Sequence, residues 1–178
     1  MSSDAVFLRG VNVGGVTIRM ADLKEALKSR PFTAVKTLLA SGNLVLASDL
    51  GRDRVKKEVE DCLREAFGYD AWVVVLPAER VGELVAACPY PADDAATHTY
   101  LTLGSDAAVL AELYEAGRAL GGAQLTRLGP EALAWLAPAG GTLDSPFSKL
   151  SAKPKYRAST TTRNLRTMLK VRDAGALL

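Results

Sequence analysis

Histidine and cysteine are scarce: the 178 residues hold one His and two Cys. Cys62 and Cys88 are far apart, each lies in a helical pattern, and neither has a Cys or His neighbour at metal-ligand spacing. A zinc site, a Cys–His pair and a Ser–His–Asp triad therefore lack their residues, and no metal or cofactor is expected. The two thiols read as buried side chains of a reducing compartment, which points to the cytoplasm. Aromatics make up only 6% of the chain. That leaves little for stacking bases and disfavours sequence-specific reading of single-stranded RNA. No apolar run reaches the ~20 residues of a membrane span. Met1-Ser2-Ser3-Asp4 leads directly into a strand, without the basic segment and apolar core of a secretory leader. No membrane partner is expected.

What is present is an ordinary globular composition, 48% apolar and 24% charged, long enough for one domain or two small ones. The net charge of +2 hides an asymmetry. From Ser145 to Arg172 the chain carries Lys149, Lys153, Lys155, Arg157, Arg163, Arg166, Lys170 and Arg172 and no Asp or Glu, so the remainder is net acidic.

Asp4 to Gly10 reads as a strand, with Val6 and Leu8 on one face and Phe7 and Arg9 on the other. Met20, Leu23, Ala26 and Leu27 then recur at helical spacing until Pro31. Val35 to Ala40 and Leu44 to Ala47 are β-rich runs joined by Ser41-Gly42-Asn43, a hairpin turn whose Gly and Asn tolerate positive φ. A long helix with Val55, Val59, Leu63, Ala66 and Phe67 on one stripe ends at Gly68, and Trp72 to Leu76 follows as a buried strand. This is the β-α-β-β-α-β order of a ferredoxin-like unit. Ala78 to Ala87 is a connecting helix, followed by a linker with Pro89, Pro91, Asp93 and Asp94. The order then restarts with strands at Thr99–Leu103, Gln124–Leu128 and Leu133–Ala137 and a helix from Ala107 to Leu120. An irregular basic segment leads to a last helix from about Arg163 to Asp173.

The expected fold is α+β: two ferredoxin-like (βαββαβ) halves related by duplication, with antiparallel sheets and helices on one face. Residues 1–88 form the first half, 89–98 the linker, and 99–178 the second half with its basic C-terminal segment. The final strand of the second half is missing or lies within the irregular segment. In this topology the ends of the first two strands share one sheet edge, so the loop after the first strand lies beside Ser41-Gly42-Asn43.

Four ordered motifs resemble a known family. Arg9-Gly10-Val11-Asn12-Val13-Gly14-Gly15, Thr37 to Asn43, Pro146-Phe147-Ser148-Lys149-Leu150 and Thr161-Thr162-Arg163-Asn164 resemble the bacterial family known as domain of unknown function 1697, over about Ala5 to Lys170. The resemblance implies a fold of the ferredoxin-like class and a motif set, and no reaction. Leu165 stands where that family often has Trp, which removes a stacking surface. Leu39-Ala40 stand where an aliphatic residue and Gln are common.

The candidate ligand-binding residues follow from these motifs. Gly14 and Gly15, between a strand and a helix, would let a phosphate or carboxylate approach backbone N–H groups, with Arg9 and Asn12 as donors. No Lys-Ser/Thr follows the glycines, so the loop is not a P-loop. Ser41, Gly42 and Asn43 would flank it, although a hairpin turn needs the same residue types for its own geometry. Thr162, Arg163 and Asn164 would cap the last helix, with Arg163, Arg166 and Lys170 along one face, and Lys149 adds a cation. His98, the single histidine, reads as structural. The leading expectation is a cytoplasmic protein that binds a phosphate-bearing small molecule or a nucleic-acid backbone. The alternatives are a metal-independent enzyme acting on a phosphorylated or nucleotide-like metabolite, and an interaction or dimerisation module compatible with a homo-oligomer. In the enzyme reading, Arg9 and Lys149 would stabilise charge within one pocket.

Overall fold

A computed structural model describes residues 1–10, 16–121 and 124–178. Its first four-stranded antiparallel sheet is built from β1 (Ser2–Leu8), β2 (Ala34–Leu38), β3 (Asn43–Ser48) and β4 (Val73–Pro77), in the order β2-β3-β1-β4. Helix α1 (Met20–Leu27) lies between β1 and β2 in the chain, and α2 (Arg52–Phe67) between β3 and β4. After α3 (Ala78–Ala87) comes the second sheet, of β5 (Thr97–Gly104), β6 (Leu125–Gly129), β7 (Ala132–Pro138) and β8 (Thr160–Asn164). Its order, β6-β7-β5-β8, repeats that of the first. The remaining helices are α4 (Ala107–Ala119), α5 (Pro146–Ser151), α6 (Pro154–Arg157) and α7 (Leu165–Gly175). By compactness the chain divides into Met1–Glu83 with Leu169–Leu178, and Leu84–Met168. The boundary read from the sequence instead keeps Leu169–Leu178 with the second half.

In the first unit, alternation along the strands sends Val6, Leu8, Leu44, Leu46 and Val73 to one face. There they meet Leu23 and Leu27 of α1 and Val55, Val59 and Leu63 of α2, residues spaced four apart so that each helix offers one apolar stripe. Each fully buried side chain of this kind is worth about 1.5–3 kcal/mol over exposure. Gly68 ends α2 at φ 61, its N–H donating to the Arg64 carbonyl at 3.0 Å. The opposite face is equally apolar, with Ala5, Phe7, Val45 and Ala47 all buried. Here the expectation of helices on one face is corrected. A strand apolar on both sides needs a second cover, and α7 brings Gly175 to where a Cβ would lie 3.8 Å from Val45 Cγ1.

Two further corrections concern chain segments. The β2–β3 turn runs from Leu39 to Gly42, closed by Gly42 N–H on the Leu39 carbonyl at 3.2 Å. Its positive-φ residues are Leu39 (59°) and Gly42 (82°), whereas Asn43 is already in β3. Thr160 to Asn164 is a strand, not the mouth of a helix. Its β-branched threonines suit the pleated edge beside β5, where Leu101 faces Arg163 and Leu103 faces Thr161. The final strand of the second half, expected to be missing or to lie within the irregular segment, is β8, and α7 starts only at Leu165. The irregular basic segment contains α5, α6 and a 3₁₀ turn at Thr142–Asp144.

Candidate functional site

The end of β1 and the β2–β3 turn form one rim in the first unit. Leu8 N–H donates to the Gly42 carbonyl at 2.9 Å, and Phe7 is paired with Asn43. Arg9 is thereby set beside Ser41, Gly42 and Asn43, as the topology requires. Asn12, Gly14 and Gly15 lie outside the described residues. Asn43 is fully buried, and its Nδ2 donates to the Leu38 carbonyl and to Ser41 Oγ, both at 2.9 Å. These two side chains clamp the turn.

Arg9 has a setting that the sequence reading missed. Its guanidinium lies 5.1 Å from the Trp72 ring centroid, and Lys56 Nζ lies 5.6 Å from the same ring. Two cations thus share one indole, which favours both electrostatically. Lys56 also donates to Glu60 Oε1 and to the Val73 carbonyl, each at 2.6 Å. The Tyr69 hydroxyl donates to the Arg9 carbonyl and stands 3.1 Å from where a Cβ on Gly10 would be, and Gly10 has φ +70. Burial pushes the Tyr69 phenol up, against the pull of Arg9. The signal for it in the sequence is the aromatic pair Tyr69 and Trp72 flanking Asp70 and Ala71, of which only Trp72 is assigned there, to a buried strand. Trp72 in fact precedes β4 and is half-buried.

The other candidates belong to the second unit. Ser145 caps α5 by accepting from Ser148 N–H at 3.2 Å, and Pro146 occupies the first turn, where no donor is needed. Phe147 is buried, its ring 5.1 Å from Trp135, which leaves Lys149 exposed. The Pro146–Leu150 motif is thus a capped turn with one inward aromatic and one outward cation. Thr162 Oγ1 lies 2.9 Å from Thr102 Oγ1, which accepts from Trp135 Nε1 at 3.0 Å. Asn164 caps α7, its Oδ1 accepting from Thr167 N–H at 2.8 Å.

Arg163 departs furthest from expectation. It is 6% exposed and donates to Thr161 Oγ1 at 2.7 Å and to the Thr162 carbonyl at 3.0 Å. Burial pulls its guanidinium down to about 10, so it remains charged at neutral pH. Because Arg163 lies on β8, it shares no helix face with Arg166 and Lys170.

Other parts of the chain supply acids to the basic tail. Arg166 meets Asp93 at 3.0 Å, Lys155 meets Glu112 at 2.7 Å, and Arg172 meets Asp173 at 2.8 Å. Among the described residues, the exposed cations of this run with no acid within 4 Å are Lys149, Lys153, Arg157 and Lys170. The first three fall within α5, α6 and their junction. His98 is exposed and stands edge-on to Tyr100 at 6.4 Å. Cys62 is buried, but Cys88 is only half-buried, which corrects its reading as a core thiol; burial pushes both thiols up. Among the described residues no helix is long and apolar enough to cross a membrane, and no group of three His, Cys, Asp or Glu could hold a metal ion.

A family model described as "Protein of unknown function (DUF1697)" matches residues 1–127, ending before the Pro146–Leu150 and Thr161–Asn164 motifs. Among solved structures, the conserved bacterial protein SP0830 from Streptococcus pneumoniae matches with a TM-score of 0.82 at 19% identity. The match covers 99% of this chain and 99% of that one. At that identity the likeness is one of fold alone. No curated protein matches this sequence.

Proposed function

The chain belongs to the DUF1697 family, described as proteins of unknown function, and from that premise we propose that it is a cytoplasmic protein that binds the phosphates of a nucleic-acid backbone. We further infer that its two four-stranded units are ferredoxin-like halves that arose by duplication, since they repeat one strand order. The observation that carries the binding reading is the set of Lys149, Lys153 and Arg157. They are exposed on consecutive short helical turns and unmatched by any acid among the described residues. Surfaces that merely keep a protein soluble intersperse both signs, and phosphate contacts need only Lys and Arg donors.

The roles assigned from sequence shift accordingly. Lys149 stays in the interface, while Thr162, Arg163 and Asn164 support β8 and the start of α7. Arg9, with Trp72 behind it, is a second cationic point in the first unit, and Asn12, Gly14 and Gly15 join it on sequence grounds. The enzyme reading needs Arg9 and Lys149 in one pocket. Arg9 follows β1 and Lys149 lies in α5, and the backbone-binding reading needs no pocket that holds both.

The test is retention of single- and double-stranded oligonucleotides as a function of salt. Binding near 50 mM salt should weaken with a slope of about 0.7–0.9 per phosphate contact. Replacing Lys149, Lys153 and Arg157 together by Gln should reduce that slope by about 2–3. A wild type that retains no oligonucleotide near 50 mM salt overturns the reading. A thermal upshift with inorganic phosphate or mononucleotides, without such retention, moves the assignment to a small phosphorylated ligand.

A further inference from the structure

In the first unit β1 outruns its neighbour. Its ladder with β3 extends from Ser2 to Phe7, but its ladder with β4 begins only at Asp4, opposite Pro77. Pro77 has no N–H to offer, and the chain turns into α3 at the next residue. On that side Ser2 and Ser3 have no strand beside them, and a cleft of about 530 Å³ opens there. Its size is that of a small-molecule site. Small residues keep it open: Ala78 and Gly82 of α3, and Gly175 of α7 with Ala176 beyond it. A side chain at Gly82 would meet Arg172 Cγ at 3.7 Å, and one at Gly175 would come within 3.0 Å of Ala78 Cβ.

Asp4 lines this cleft and is 1% exposed. Neither of its carboxylate oxygens receives a hydrogen bond among the described residues. A buried charged acceptor without a donor is costly. Packing does not call for it, since Val6 and Leu8, the next residues of β1 on the same face, are apolar. Burial pushes the Asp4 carboxyl up, against the opposing pull of the Arg52 charge. Arg52, the first residue of α2, lines the same cleft, as does Glu79 of α3. Both are exposed, and neither makes an ion pair among the described residues. The cleft thus offers an acceptor-only group in its wall, a guanidinium with no carboxylate on it, and a small apolar lining between.

We propose that this cleft binds a small zwitterion of the amino-acid type, its ammonium donating to Asp4 and its anionic end meeting Arg52. An ammonium brings several donors to a group that can only accept. A guanidinium matches a carboxylate with two parallel hydrogen bonds. The ligand's carbon chain lies along Ala78, Gly82 and Gly175. This site is separate from the cations proposed for phosphate, and it stands or falls without them.

The probes are ω-amino acids from glycine to aminohexanoate, with butylamine and butyrate as single-charge controls. Binding is followed by the backbone amide resonances of Ser3, Asp4, Gly82 and Gly175. At least one zwitterion should shift these resonances saturably while neither control does. Asp4→Asn and Arg52→Gln should each weaken that binding by about tenfold or more. The proposal is overturned if no zwitterion shifts the four resonances, if butylamine binds as tightly as the zwitterion, or if Asp4→Asn binds with unchanged affinity. Should Asp4→Asn fail to fold, unchanged affinity in Arg52→Gln overturns it equally.

Discussion

Gly117 of α4 lies so close to Phe147 of α5 that a Cβ on it would fall 2.9 Å from Cε2 of that ring, and 2.6 Å from Leu125 Cδ2. No real Cβ tolerates such distances, so the helix approaches its neighbours only through a glycine. Gly117→Ala gains up to about 1 kcal/mol of helix propensity but overpacks the core of the second unit, at a cost of about 1–3 kcal/mol. The expected net result is a lower urea midpoint. An unchanged or higher midpoint would show that α4 can move aside.

Leu39 holds a left-handed conformation that costs an ordinary side chain about 1–2 kcal/mol. At 40% exposure it recovers little of this by burial. Asn adopts that conformation more readily, so Leu39→Asn should stabilise by about 0.5–1 kcal/mol, read as an upward shift in the denaturation midpoint. A loss of stability would mean that the leucine contacts outweigh the strain.

Asp4 gives a pH dependence of definite sign. Its folded pKa is raised by burial, so the folded state binds its proton more tightly than the unfolded chain does. The stability tied to that proton is complete below about pH 3.9, the ordinary aspartate value, and is lost as pH rises through the raised value. Asp4→Asn should therefore be more stable than wild type at neutral pH, with the advantage vanishing in acid. Thermal unfolding of both proteins across this range measures the difference, and a constant difference at every pH refutes the assignment.

Arg163 and Lys149 should separate stability from binding. Arg163→Gln removes two hydrogen bonds from a buried cation, each worth about 1.5–3 kcal/mol, and should lower stability while leaving the salt slope of oligonucleotide retention unchanged. Lys149→Gln should do the reverse, since Lys149 is exposed and has no acid partner among the described residues. If Arg163→Gln reduces the slope without a loss of stability, the buried arginine reaches the ligand after all.

Local periodicity made the helices from Met20 to Ala119 legible in the sequence, and topology put the loop that starts at Arg9 beside Ser41-Gly42-Asn43, next to which Leu8 N–H meets the Gly42 carbonyl. What the sequence hid depends on contacts made far along the chain. Thr160 to Thr162 carry hydroxyls that local rules assign to a helix cap; they become a strand because Leu101 and Leu103 present an open edge. The run from Ser145 to Arg172 is free of acids only in linear order, because Glu112 and Asp93 reach Lys155 and Arg166 from elsewhere in the fold. Leu39 takes the strained position that turn propensity would give to Asn43, since Asn43 is needed inside the strand to hold Leu38 and Ser41. Asp4 reads as the polar first residue of a strand, and only its pairing with Leu46 on one side and Pro77 on the other buries it within the sheet.

Pro77 decides between two uses of the same residues. Ala78 and Glu79 follow in register to continue β4 alongside Ser3 and Ser2, which would fill the space beside them with backbone. They also have the composition to open a helix, and a proline just ahead, with its φ preset and no hydrogen to donate, tips the chain that way. Sheet and helix compete here for one short segment, and a single absent amide proton keeps a concavity where the sheet would otherwise have been wider.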